Sequence, residues 1–97
     1  MKKLLVAVVL LVASSFVFAN ERILENFWNK GQVIKIIEND VIAYINKSSI
    51  SIIYTVKGDG WLEILSVSTD HSYDRSYSST KYDISSDNAG NIVITEK

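Results

Sequence analysis

The chain contains a single histidine, His71, which is the side chain best suited to acid–base chemistry near neutral pH. Asp70 and Asp74 lie close to it in the sequence, and a carboxylate can orient a histidine that acts as a general base or binds a metal ion. A structural zinc site usually takes four ligands, however, and the chain has no cysteine. No serine lies in a G-x-S-x-G pattern. We therefore predict no catalytic residues, no metal site, no cofactor and no enzymatic activity. A small hydrolase centred on His71 is the less favoured alternative.

Aromatic residues offer a second kind of chemistry, which is the binding of another protein. Tyr73 and Tyr77 lie in a segment rich in serine and aspartate, a composition typical of adaptable binding surfaces. Trp61 and Tyr44 fall on the outer face of the sheet that the sequence predicts. We predict that these four residues, Trp61, Tyr44, Tyr73 and Tyr77, bind a partner. The alternative is that their rings form cross-strand pairs on a half-exposed sheet.

The first 19 residues have the pattern of a signal peptide. Lys2 and Lys3 are followed by the uncharged, mostly apolar run 4–19, and Val17 and Ala19 occupy the two positions that signal peptidase reads. An uncleaved membrane anchor is the alternative, but a membrane-spanning helix needs about 20 apolar residues and this run is shorter. We expect cleavage after Ala19, a periplasmic or secreted mature protein, and no membrane contact once the signal peptide has been removed.

Residues 20–97 are long enough for one small domain. Without residues 1–19, eight basic side chains remain against 11 acidic ones and no basic cluster is present, so we predict no nucleic-acid partner. The absence of cysteine excludes disulfides, and a core of this size without them is marginally stable. We therefore expect either a well-packed sheet or a partner, or a second copy, that covers part of it.

The segment Asn20–Lys30 predicts a short helix. Its apolar residues recur at helical spacing and form one stripe, which must dock on another element because a helix this short is not stable alone. The members of the stripe are Ile23, Leu24, Phe27 and Trp28.

The central hairpin is predicted from two β-rich runs, Ile50–Lys57 and Trp61–Val67, joined by the loop Gly58-Asp59-Gly60. A three-residue loop pairs Lys57 with Trp61. One face of this hairpin is then an apolar wall, which we expect to point into the core. The members of that face are Ile50, Ile52, Tyr54, Val56, Leu62 and Ile64.

Two further hairpins flank the central one. Val33–Glu38 and Val41–Asn46 are separated by Asn39-Asp40, two residues that tolerate positive φ and suit a type I′ turn. Its inward face should hold the alternate residues Ile34, Ile36, Val41, Ala43 and Ile45. Near the end of the chain, a loop with glycine in third position pairs Asp87 with Asn91 and places Tyr82, Ile84, Ile92 and Ile94 on one face. The segment Ser68–Lys81 between the hairpins is either a long surface loop or a strand with a wet face.

The predicted fold class is α+β, with a short N-terminal helix packed on an antiparallel meander sheet of about five to six strands. A small closed β-barrel is the alternative. The predicted function is that of a small exported protein that binds an envelope protein or an exported enzyme, with inhibition as one outcome. The alternative is a self-assembling structural protein of the envelope, for example a homodimer formed by pairing of edge strands.

Overall fold

The computed structural model describes residues 5–9, 19–58, 62–70 and 72–97. Helix α1 is Ala19–Lys30, and a single 3₁₀ turn spans Lys47–Ser49. The strands are β1 Leu5–Val9, β2 Val33–Glu38, β3 Val41–Asn46, β4 Ile50–Lys57, β5 Glu63–Thr69, β6 Asp74–Ser78, β7 Tyr82–Ser86 and β8 Ile92–Glu96. The predicted α+β class is confirmed.

The strands form two open sheets rather than one meander. The first sheet has the order β1-β4-β5-β6 and the second has the order β3-β2-β8-β7. Most neighbours are antiparallel, but β2 pairs with β8 in parallel, as does β1 with β4. The chain therefore leaves the second sheet after β3 and returns to it at β7. Neither sheet closes on itself within the described residues, so the barrel alternative does not apply there.

Both sheets and the helix contribute to one buried cluster. The helix inserts Leu24 and Phe27, as its apolar stripe predicts, whereas Trp28 at the edge of the stripe is exposed. The strand members of the cluster are Ile34, Ile36, Ile50, Ile53, Leu65, Val67, Tyr77, Tyr82, Ile92 and Ile94. Burial of this aliphatic and aromatic surface is the main source of stability in a domain that has no disulfide.

The hairpin β4–β5 differs from its prediction in register and in face. Lys57 pairs with Glu63 instead of Trp61, and the N–H of Gly58 donates to the carbonyl oxygen of Leu62 at 2.8 Å, so the pairing is shifted by two residues from the predicted one; Trp61, Asp59 and Gly60 lie outside the described residues. The buried face holds Ile53, Thr55, Leu65 and Val67, whereas Ile52 is 40% exposed. The hydroxyl of Thr55 donates to the carbonyl oxygen of Ile64 at 3.2 Å, so this polar side chain is satisfied within the core.

The two flanking hairpins have the predicted registers. Asn39 and Asp40 have φ angles of 52° and 62°, as a type I′ turn requires, and Glu38 pairs with Val41. The β7–β8 hairpin also has its predicted register, with Tyr82 opposite Glu96, Ile84 opposite Ile94 and Ser86 opposite Ile92. The segment 68–81 contains β6 and is therefore a strand rather than a long loop.

Candidate functional site

The outer strand of the second sheet, β3, is apolar and exposed. It contains no charged residue, and Val41, Ile42 and Tyr44 are 62%, 53% and 62% exposed. Ala43 is exposed as well. Soluble proteins usually protect an edge strand with charges, proline or a covering element. We call the exposed part of this strand, Val41–Tyr44, the β3 edge, and it is the candidate functional site.

The β3 edge is exposed on both faces because the buried core extends as far as β2 and does not cover Val41–Tyr44. On the inner face Ile34 and Ile36 of β2 are fully or almost fully buried. Their partners on β3 are Ile45, which is half-buried, and Ala43, which is exposed. The strand thus extends beyond the core while it stays hydrogen-bonded to β2. Val41 and Ala43 lie on the predicted inward face of the sheet, but the prediction that they are buried is wrong.

The hydrogen-bonding pattern of the hairpin shows which backbone groups face its free side. In a hairpin with a two-residue loop, the residues that flank the turn exchange both hydrogen bonds, and every second pair then does the same. Glu38 and Val41 flank this turn. At the other end, the N–H of Lys47 donates to the carbonyl of Gln32 at 2.8 Å, which fits the same alternation.

The residues between these pairs direct their backbone N–H and C=O groups away from β2. They are Ile42, Tyr44 and Asn46. The carbonyl of Asn46 accepts a hydrogen bond of 2.8 Å from the hydroxyl of Ser49. The N–H and C=O groups of Ile42 and Tyr44 have no strand partner among the residues that the structure describes. These four groups can therefore accept another strand.

The turn end of the hairpin is fixed by a cluster that we call the Glu38 clamp, formed by Glu38, Arg75 and Tyr82. Arg75 on β6 of the first sheet donates from both terminal nitrogens to the carboxylate of Glu38 at 2.8 and 2.6 Å. The hydroxyl of Tyr82 on β7 also donates to Glu38. The Arg75 hydrogen bonds, with a smaller effect of Tyr82, lower the pKa of Glu38 to about 2. The clamp joins the two sheets beside the β2–β3 turn.

The opposite end of the hairpin is also fixed. The side-chain oxygen of Asn91 accepts hydrogen bonds from the backbone N–H groups of Gln32 and Val33 at 2.8 and 3.1 Å. The ammonium group of Lys47 donates to the carbonyl oxygen of Trp28 at 2.6 Å. A strand held at both ends loses little conformational entropy when it binds a partner, which favours affinity.

Of the four predicted binding residues, the structure describes three, and they lie at two places in the fold. Tyr44 lies on the β3 edge and is exposed. Tyr77 is fully buried because it pairs with the core residue Leu65, and this burial raises the pKa of its hydroxyl. Tyr73 is half-buried, and its hydroxyl hydrogen-bonds to that of Tyr77. Tyr77 is therefore a core residue rather than part of an exposed surface, and Trp61 lies outside the described residues.

The two aspartates near His71 in the sequence both hydrogen-bond to serine hydroxyls. Asp70 accepts a hydrogen bond from the hydroxyl of Ser51, and Asp74 accepts one of 3.2 Å from Ser68. His71 lies outside the described residues. Within the described ranges, no three His, Cys, Asp or Glu side chains are grouped to hold a metal ion. The same ranges contain no helix that is long and apolar enough to cross a membrane.

Sequence reasoning placed Val41 and Ala43 on the inward face, although both are exposed, and it did not single out the outward-facing Ile42 as a binding residue. The signal that could have found them is the composition of Val41–Asn46, which has no charged side chain although it follows a turn at the surface. Comparison of the sequence with protein-family models and with curated proteins finds no match, and comparison of the fold with solved structures finds none.

Proposed function

We propose that this chain is a small exported protein that binds another protein by accepting one of its strands at the β3 edge. The observation that carries the proposal is an apolar, uncharged edge strand with free backbone groups, held rigidly at both ends of its hairpin. Export rests on the predicted signal peptide 1–19. The partner class is an envelope protein or an exported enzyme, and inhibition follows where the captured strand belongs to a working part of that enzyme.

The β3 edge specifies the chemistry of the incoming strand. Its backbone would pair with the N–H and C=O groups of Ile42 and Tyr44, which provides affinity independent of sequence. Specificity would come from side chains on both faces, because Val41 and Ala43 line one face while Ile42 and Tyr44 line the other. The matching segment is therefore a short extended run with apolar residues on both faces and no charge at its centre.

The decisive experiment is a pull-down from an envelope fraction with residues 20–97 and two variants of Ile42. Ile42→Pro removes an N–H that points to the free side, so the sheet retains its own ladder while strand addition is blocked. Ile42→Val keeps the N–H and the β-branched shape and is the matched control. We expect one stoichiometric partner with the wild type and with Ile42→Val, and a loss of capture of about tenfold or more with Ile42→Pro.

The amount of captured partner is compared with the thermal unfolding midpoint of each variant, so that a loss of binding can be distinguished from a loss of folding. Equal capture by Ile42→Pro and the wild type would overturn the proposal. Since the substituted N–H does not bond to β2, Ile42→Pro should unfold within a few degrees of the control.

Self-assembly through the same strand is the second candidate function, favoured by the order of residues in β3. An antiparallel pairing of two copies centred on Ala43 sets Ile42 opposite Tyr44 of the other copy and Val41 opposite Ile45. Residues of the same hydrogen-bonding class then face each other, with no like charges across the pair. Sedimentation equilibrium of residues 20–97 tests this: a dimer that Ile42→Pro dissociates supports it, and a monomer at high concentration contradicts it.

A further inference from the structure

The start of α1 is anchored to the first sheet. The backbone nitrogen of Asn20 lies 3.0 Å from a carboxylate oxygen of Glu63 and donates a hydrogen bond to it. Asn20 as a whole is only 5% exposed. The residues at chain ends are usually poorly ordered unless contacts hold them in place. Asn20 is thus buried, with its backbone nitrogen bonded to the first sheet.

Glu63 is itself held in place by the neighbouring β6–β7 connection. It is the first residue of β5, and its N–H donates a hydrogen bond to the hydroxyl oxygen of Ser79 at 3.0 Å. The N–H of Ser79 in turn donates to the carbonyl oxygen of Glu63 at 2.9 Å. The carboxylate therefore projects from a fixed backbone toward the start of the helix. A carboxylate near a helix N-terminus is also stabilised by the helix dipole.

We propose that Asn20 is the amino terminus of the mature protein and that Glu63 binds its α-ammonium group as an internal counter-ion. Signal peptidase adds water across the Ala19–Asn20 peptide bond, so Ala19 takes the oxygen as a carboxylate and the nitrogen of Asn20 becomes an ammonium group. The 3.0 Å contact seen for the amide then becomes a charge-assisted hydrogen bond, which is stronger. This inference rests on the predicted cleavage site and does not involve the β3 edge.

The pairing solves a problem that cleavage creates. A positive charge at the N-terminus of a helix opposes the helix dipole and destabilises the first turn. A carboxylate already in contact with the new ammonium group offsets that effect. Glu21 in the first turn of α1 acts in the same direction. Glu63 and Glu21 therefore reduce the destabilisation that a positive terminus at Asn20 would otherwise cause in the first turn of α1.

The same geometry fixes the order of cleavage and folding. The Ala19–Asn20 bond lies at the first turn of α1, and Asn20 is buried. Proteases cleave exposed, flexible segments in preference to buried or helical ones. Cleavage must therefore precede folding, and folding then holds the new terminus against Glu63.

Intact mass and N-terminal sequencing of the exported protein test the cleavage site, and any first residue other than Asn20 overturns the inference. The ion pair is tested with residues 20–97 carrying either a free or an acetylated terminus, since acetylation removes the positive charge and leaves one N–H that can still donate to Glu63. We expect Glu63→Gln to lower the unfolding midpoint by about 4–8 °C in the free form. In the acetylated form the fall should be less than half as large.

Equal falls in the two forms would overturn the ion pair. If Glu63→Gln fails to fold, the free and acetylated forms of the wild type are compared instead. The acetylated form should then unfold at a lower temperature than the free form. An acetylated form as stable as the free one overturns the inference.

The order of events is tested with purified signal peptidase and the folded chain 1–97. Ile94→Ala, a core substitution far along the chain from the cleaved bond, increases the unfolded fraction and should speed cleavage by about tenfold or more, since cleavage follows the open population. Equal rates for the wild type and Ile94→Ala would show that the folded chain is cleaved directly. Both results are independent of partner capture, so this inference and the proposed function can fail separately.

Discussion

The two edges of the second sheet are built differently. At one edge, β3 is apolar, uncharged and exposed on both faces. At the other edge, β7 alternates a buried Tyr82 and a half-buried Ile84 with polar residues, and α1 packs against it. Both strands belong to hairpins with the predicted registers, so local pairing does not explain the contrast. The difference lies in what covers each strand.

This contrast shows where the stability of the sheet resides. The inner face of β8 and β7 contributes Ile92, Ile94 and Tyr82 to the core, whereas β3 contributes only the half-buried Ile45. The β3 edge can therefore change in sequence, or bind a partner, at little cost to the fold. The β7 edge lacks that freedom because its residues hold the helix and the two sheets together.

The largest expected effect is the difference in the free energy of unfolding between Ile94→Ala and Ile42→Ala. Ile94 is fully buried, so its truncation leaves a cavity and should lower the free energy of unfolding by about 2–5 kcal/mol. Ile42 is exposed, and the same truncation should cost less than about 0.5 kcal/mol. Urea denaturation of both variants measures the difference. Similar losses would mean that β3 is covered in solution, for example by a second copy.

An intermediate effect concerns the Glu38 clamp, which connects the β2–β3 turn with β7. The pKa of Glu38 is lowered from about 4.5 to about 2, so the carboxylate stabilises the fold above its unfolded pKa and this contribution is lost as pH falls through about 2. We expect the free energy of unfolding to decrease over that interval. Glu38→Gln should show a smaller decrease, and identical acid profiles would show that the clamp does not link the edges energetically.

The smallest effect is expected at the exposed face of β7. Lys97 Nζ lies 3.9 Å from Asp83, and both side chains are well exposed. Exposed ion pairs of this kind are worth little, so Asp83→Asn should change the free energy of unfolding by less than about 0.5 kcal/mol. Thermal unfolding at low and high salt measures it. A larger, salt-sensitive loss would show that charge as well as the helix protects this edge.

The sequence predicted those parts of the fold that depend on local chemistry. Asn39-Asp40 and the loop that ends in Gly90 require positive φ, and such turns determine the register of the strands on either side. The helix followed from one apolar stripe. The parallel pairing of β2 with β8 has no comparable local signal, because strands β3 to β7 lie between them in the chain. The division into two sheets was therefore not predictable from turns.

The errors in β4 and β6 have a related cause. In β4 both faces carry apolar residues, and the choice of Ile52 over Ile53 as the inward residue rested on counting them. Thr55 made the true inner face look polar, although its hydroxyl is satisfied by Ile64. Tyr44 lies on the outer face, as predicted. The sequence assigned Tyr77 to no face of a sheet, and its burial follows from the pairing of β6 with β5.

The parallel pairing of β1 with β4 uses part of the predicted signal peptide as a strand. If residues 1–19 direct export as predicted, the backbone of residues 5–9 must remain available to the transport machinery, yet in the folded chain it pairs with residues 52–56. Contacts between segments almost half a chain apart form slowly, because a long loop must close before they stabilise anything. That delay is the interval in which the chain can be recruited. A variant selected only for rapid folding would shorten it, and such a variant should accumulate inside the cell as an uncleaved precursor.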